Sequence, residues 1–373
     1  MTTNQIYTLV NEVVKEGIGQ NNISAIDTQS LVALGNMVLS SNSNTEAFLN
    51  TLVQRIGKTI LSFRDYRNKL ADMVLDDFEY GMILQKLAVK MPEAEEDKSY
   101  SLQNGQSVDH WRVSKPEVLQ KFYGRRTPYE FRMTRSYRQL KEAFTSAEKM
   151  GAFVAICFGE VRNAIEFSME QLGRATLANF IAETDKVVNL VTAFNTELGL
   201  TGADALNATT ALHSDLFLNY AIGRINHHAK MITEMSVRYN DGSKPRFTPV
   251  DKRVIRINSD FDTRCQTVTQ YSAYHDRFVS VGGLWDSISY WQDFKEGSEK
   301  NISVKRASDG TTKNINNIIA CIYDKDALGI YKRSEYALST GWNADGAYEN
   351  TVWHCEQLWF NDLAENFVYF TLN

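Results

Sequence analysis

Cysteine is scarce in this chain: Cys157, Cys265, Cys321 and Cys355 stand among 373 residues, with no C-x-x-C spacing between any two. That excludes a disulfide framework or a zinc knuckle and leaves small buried thiols in a reducing compartment. The 5 prolines are too few for a Pro-rich linker, and the 21 glycines are an ordinary share. Positive charge is not in excess: 40 Lys and Arg face 45 Asp and Glu, a net −5, which argues against a dedicated nucleic-acid binder. The longest apolar-rich stretch, 150–161, is too short to cross a membrane and contains Gly and Glu. The opening Met1-Thr2-Thr3-Asn4-Gln5 has neither a basic n-region nor an apolar h-region, so no signal peptide is expected, and the chain reads as soluble and made in the cytoplasm.

Enzymatic signatures are also missing. No phosphate-cradling glycine loop, no H-E-x-x-H and no G-x-S-x-G occurs. His227-His228 is the one histidine pair. Neighbouring residues on a helix do not share a face, so the pair is poorly placed to chelate one ion. His110, His213, His275 and His354 are isolated and read as surface or satisfied core residues. No catalytic residue, cofactor or metal is expected. A metal-dependent enzyme using His227 or His228 is the alternative from another class.

What is present is a globular chain, 43% hydrophobic and 23% charged, long enough to bury a sizeable core. The first forty residues predict two short helices, the second over Ser24 to Leu39, with Ile26, Leu31, Leu34 and Val38 at helical spacing. Ser43 and Glu46 suggest a capping box for a further helix that carries Phe48, Leu52, Val53 and Ile56 and stops at Gly57. Leu87, Val89 and Met91 alternate with polar or small residues, as do Tyr129, Phe131 and Met133. Both patterns predict strands. About forty strongly polar residues lie between them, too many for a structureless loop inside a compact domain, so an extended two-stranded excursion is expected. Thr145 to Leu172 predicts the longest helix, opened by a Thr145/Glu148 box, with a continuous stripe from Met150 to Leu172. An α/β section follows, with helices over 216–235 and 262–278, a strand at 254–257, a buried strand over Ile318-Ile319-Ala320-Cys321-Ile322-Tyr323, and an aromatic C-terminal stretch tied into the core.

Charge on the excursion is segregated. Glu93, Glu95, Glu96 and Asp97 face one Lys98, whereas 112–141 holds nine basic residues, among them Lys121, Arg125, Arg126 and Arg132, against Glu117 and Glu130. Separated signs of this kind steer and register contacts between copies of one chain. A nucleic-acid segment is the other reading of the basic stretch.

The order of arm, extended hairpin, long helix, α/β body and returning strands resembles the major capsid proteins of tailed bacteriophages, the Hong Kong 97-type fold, and among them the short-tailed phi 29-like group. The resemblance covers most of the chain from about Asn44. It is carried by Phe48 to Gly57, by Phe122-Tyr123-Gly124-Arg125-Arg126-Thr127 leading to Leu140-Lys141-Glu142-Ala143-Phe144, and by Ile322-Tyr323-Asp324-Lys325-Asp326 and Ile330-Tyr331. The ending Trp359 to Phe370 completes it. It implies an α+β fold with an N-terminal arm over 1–77, an extended loop and its exit strand over 78–144, a spine helix and peripheral domain over 145–184, an axial domain over 185–317 and peripheral return strands over 318–373. It implies a shell of pentamers and hexamers around double-stranded DNA in a virion assembled in a bacterial host, with scaffolding and portal partners and no membrane. Glu93, Glu95, Glu96, Asp97, Lys121, Arg125, Arg126 and Arg132 are the expected inter-subunit residues. The chain ends soon after the last strand, so no added immunoglobulin-like domain is expected, and no Lys–Asn cross-link is carried over. A nanocompartment shell around protein cargo is the rival within the same fold.

Overall fold

The computed structural model describes residues 3–19, 23–56, 66–75, 83–89, 94–109, 111, 113, 115, 118–124, 126–155, 159–242, 244–271, 284–343 and 345–373. Three helices open the chain: α1 (Thr3–Gly17), α2 (Thr28–Val38) and α3 (Asn42–Ile56). Asp27 caps α2 in a reciprocal box with Ser30. At α3 the helix starts earlier than the Ser43/Glu46 spacing suggests, with the Asn44 amide donating to the Ser41 hydroxyl at 3.1 Å. Short strand β1 (Val74–Leu75) follows, then β2 (Leu84–Val89), β3 (Val118–Tyr123) and β4 (Arg126–Ser136), which runs into α4 (Tyr137–Ala143).

Where one helix is predicted over 145–172, the described residues form α5 (Ala147–Val154) and the longer α6 (Glu160–Glu183); residues 156–158, Cys157 among them, lie outside the described set. The N-cap of α5 is Ser146, which accepts from the Lys149 amide, and not Thr145, whose hydroxyl donates to the Glu142 carbonyl. Two adjacent hydroxyl residues compete for the position, and α4, ending just upstream, occupies Thr145. Beyond α6 come β5 (Val187–Asn189), α7 (Leu190–Leu198), α8 (Ala208–Ala211), α9 (Asp215–Met231), β6 (Arg253–Asn258), α10 (Ser259–Tyr271) and β7 (Leu284–Ile288). The predicted tail of α10, 272–278, is outside the described residues. The chain closes with β8 (Ile302–Lys305), β9 (Thr312–Ile315), β10 (Ile318–Asp324), β11 (Leu328–Asn343), β12 (Tyr348–Asn361) and β13 (Phe367–Thr371).

These strands form two main sheets. One has the order β1-β11-β12-β4, the other β5-β13-β10-β6-β7, and β2-β3 and β8-β9 are separate ribbons. In β12 buried and half-exposed residues alternate almost throughout, the signature of a sheet with one packed face. Trp353 and Cys355 from that face, with Phe131 and Met133 of β4, close the core under α1 to α5. In β10, β6 and β13 every residue is buried, because helices cover both faces: Ile319, Ile322 and Phe370 meet α7, α9 and α10, and Cys321, Tyr323 and Phe367 meet α6. Helix α6, ~36 Å long at 1.5 Å per residue, links the layers. Its Val161, Ile165 and Met169 join the first core, and its Leu177, Phe180 and Ile181 join the core under the five-stranded sheet.

The strand carrying Tyr129, Phe131 and Met133 is predicted on the excursion. The structure corrects this: β4 lies in the four-stranded sheet, with Phe131 opposite Trp353 and Met133 opposite Thr351 of β12. Period-two alternation identifies a strand and its buried face but not its partner. The partner of β2 is β3.

Candidate assembly interface

The β2–β3 hairpin belongs to neither main sheet, and its register determines what it presents. Leu84 pairs with Tyr123, Lys86 with Lys121 and Ala88 with Leu119; between them lie Gln85 with Phe122, Leu87 with Gln120 and Val89 with Val118. Paired residues point to the same face of an antiparallel ladder. The first set faces the body, and Leu84, Lys86, Ala88, Leu119 and Tyr123 are half-buried. The second set faces outward, leaving Leu87, Val89, Val118 and Phe122 more than half exposed. A contiguous exposed apolar face of this kind marks an interaction surface.

The inward face is attached by charge. Lys86 Nζ lies 2.8 Å from Asp362 and 2.8 Å from Glu365 and donates to the Asp326 carbonyl at 3.0 Å. Lys121 Nζ lies 2.5 Å from the other Asp362 oxygen. Tyr123 packs on Phe360 with ring centroids 5.4 Å apart. Burial works to raise the pKa of Asp362, but the two ammonium groups outweigh it and hold this carboxyl below the usual range. Burial likewise opposes the Lys86 charge, and Asp362 and Glu365 overcome it and hold the ammonium's pKa up.

The signs set a pH window. A depressed carboxyl contributes stability that is present above the ordinary Asp value near ~3.9 and is lost as pH falls through its folded value. A raised ammonium contributes below its ordinary ~10.4 and loses this as pH rises beyond. The clamp therefore holds from about pH 4 to about pH 10. Lys86→Met removes its inner half, and hairpin amides are expected to exchange about tenfold faster at neutral pH, about 1.4 kcal/mol of local opening, with the rest of the sheet unchanged. Unaltered exchange in the hairpin would show that apolar packing alone holds it.

Between β2 and β3 the described residues from 94 to 115 are exposed wherever their burial is defined, with Tyr100 and Trp111 the most exposed aromatics at 92% and 88%. Of the residues expected at an interface, Glu95, Glu96 and Asp97 are on this exposed run. Asp97 accepts from the Ser99 hydroxyl and amide, which lowers its pKa. Arg132 is exposed and paired with Glu130 at 2.7 Å. Lys121 is turned onto Asp362 of its own chain. Glu93, Arg125 and the Arg126 side chain lie outside the described residues. Lys86, Asp362 and Glu365 escape a sequence reading because Lys121 and Asp362 are 241 positions apart. Tyr100 and Trp111 were legible as large aromatics isolated in polar chain, the one available signal.

Among the described residues, no group of three or more His, Cys, Asp or Glu converges on a metal geometry. His228 is a buried core residue bonded to the Tyr239 hydroxyl at 2.8 Å. Cys265, Cys321 and Cys355 are buried and form no disulfide, and burial pushes the first two up to about 12, the condition of inert structural cysteine. No helix among the described residues is long and apolar enough to cross a membrane.

The family model for the Phi29-like phage major capsid protein matches residues 10–371. The major capsid protein of Bacillus phage GA-1 is 21% identical over 178 residues, 48% of this chain and 37% of that protein, so the aligned stretch spans well under half of that relative. Among solved structures, a chain in the capsid structure of Staphylococcus phage Andhra matches with a TM-score of 0.54 at 10% identity, over 84% of this chain and 87% of that one. At that identity the likeness shows the fold, the Hong Kong 97 type.

Proposed function

Since the chain belongs to the Phi29-like phage major capsid protein family, we propose that copies of it associate as pentamers and hexamers into an icosahedral shell enclosing double-stranded DNA, with the β2–β3 hairpin of each copy laid on its neighbour. The observation that carries this is the outward apolar face of Leu87, Val89, Val118 and Phe122, which a lone subunit leaves in water. Covering such a face yields ~25 cal/mol per Å² of apolar area. Each contact is modest, and the many contacts of a closed shell make it stable. In this reading α6 and the four-stranded sheet act as the peripheral domain and the five-stranded sheet with its helices as the axial domain; the axial unit then takes in β10 and β13, expected from the resemblance among the peripheral return strands over 318–373, because both pair into the sheet of β5, β6 and β7. The net −5 lets packaged DNA slide against the wall instead of adhering to it. Scaffolding and portal proteins are the partners the reading calls for, and assembly takes place in the host cytoplasm.

Electron microscopy and light scattering of the purified protein test the reading. Closed shells or five- and sixfold rings are expected. The double variant Leu87→Ser with Val118→Ser should keep its circular dichroism and unfolding midpoint, because both side chains are exposed, yet lose shells. A wild-type protein that stays monomeric across salt and concentration, with a scaffold supplied, would overturn the proposal.

A further inference from the structure

The described residues from 94 to 115, wherever their burial is defined, are left exposed by the other described residues, and a groove on the body offers a matching shape and charge. The groove measures about 380 Å³ and lies between Met133 and Thr134 of β4, Gln139, Glu142 and Ala143 of α4, and Lys149, Ala152 and Phe153 of α5. Its apolar lining is Met133, Ala143, Ala152 and Phe153. The exposed charges over 132–149 are Arg132, Arg138, Lys141 and Lys149 against Glu142 and Glu148, while Arg135 is buried on Glu349 and takes no part. Arg138 is exposed and stands one helical turn before Glu142, on the groove side of α4. The exposed run is acidic, with Glu95, Glu96, Asp97 and Asp109 against Lys98 over 94–111.

We infer that Trp111 and Tyr100 of one copy seat in this β4/α4/α5 groove of a second copy, with the Glu95–Asp97 acids facing Arg138 and its basic neighbours. The inference rests on the shell reading and specifies the surface that receives the hairpin. Aromatic side chains in a well-formed pocket carry most of the energy of an interface, and a rim of opposite charge sets register and excludes wrong partners. A second hollow, at the root of the hairpin, fits less well: it measures about 290 Å³ and its one charged lining residue is Glu183, whereas the β4/α4/α5 groove sets Lys149 against Glu142. The hollow beneath α9 and α10 is about 20 Å³ and carries Asp262, too small for an indole.

Thiol cross-linking of the assembled full chain tests the inference. Val113 is exposed beside Trp111, and Ala152 is exposed on the groove wall. In shells of Val113→Cys with Ala152→Cys, a short bis-maleimide should give covalent dimers and higher ladders about tenfold above either single variant, since seating places the thiols at high effective concentration. Shells that form normally but give no more ladder than the single variants overturn the inference and leave the shell reading intact. Wild-type protein that forms no shells overturns the shell reading itself. If the double variant does not assemble, a charge exchange decides. Arg138→Glu and Glu96→Arg should each impair assembly in light scattering, and the two changes in one chain should restore it. Failure of the exchange to restore assembly also overturns the inference.

Discussion

Arg256→Met is expected to cost the unassembled subunit about 3 kcal/mol in urea unfolding at pH 7, toward the low end of the range for breaking a buried ion pair. Arg256 stands on β6, an interior strand between β10 and β7, and is 1% exposed. Its guanidinium donates to Asp286 on one side and to both oxygens of Asp72 on the other, and Nε reaches the Tyr323 hydroxyl at 3.3 Å. Burial opposes the charge, and Tyr323 and Asp72 outweigh it, so the group is held firmly protonated. Methionine keeps much of the volume but leaves two carboxylates that lose their cation. Both are partly exposed, at 21% and 32%, and can take up water, which keeps the loss near the lower limit. Asp286→Asn should cost less, about 1 kcal/mol, since Asp72 still holds the guanidinium. A change below about 1 kcal/mol for Arg256→Met would mean that hydration of the two acids replaces the arginine almost fully.

A second large effect lies on the acid side of neutrality. His228 stands on α9, its ring buried against Tyr239 and Phe370, and its pKa is lowered to about 4, first by burial and then by Arg238, Arg224 and His227. The unfolded chain titrates near ~6.5, so between these values the unfolded state binds more protons and stability rises with pH. The contribution is complete above about pH 6.5 and is lost as pH falls toward 4, by about 3 kcal/mol in total. His228→Phe should flatten that part of the stability profile while costing a roughly pH-independent ~1 kcal/mol for the lost bond to the Tyr239 hydroxyl, which keeps its weaker contact with Met231 Sδ at 3.6 Å. Urea midpoints of both proteins from pH 4 to pH 8 give the comparison. Parallel profiles would assign the acid sensitivity to other groups.

Much of the architecture can be read locally. The run Ile318 to Tyr323, apolar without alternation, reads as a strand buried on both faces, and it is one, between β13 and β6. The helical stripes of α1 to α3 and α9 follow from spacing that a few neighbouring residues define. The segregation of acids before 98 from bases after 112 is visible in the sequence, and with it the idea of contact between copies. Errors cluster where neighbours compete or where a partner must be chosen, as with Ser146 against Thr145, or β4 joining β12 rather than β2. The clamp of Lys86 and Lys121 on Asp362 was not visible at all, because a lysine carries no mark of the distant carboxylate it will meet.

The sequence by itself therefore determined the element types, the α+β class, the projecting charged excursion and the kinship with capsid proteins, since each depends on periodicity, composition or order along the chain. Only the tertiary structure decided which face of the hairpin is turned outward, what anchors its inner face and where a basic-rimmed groove opens beside β4. Those are relations between residues far apart in the chain, set by strand register and the packing of whole layers, and no local pattern encodes them.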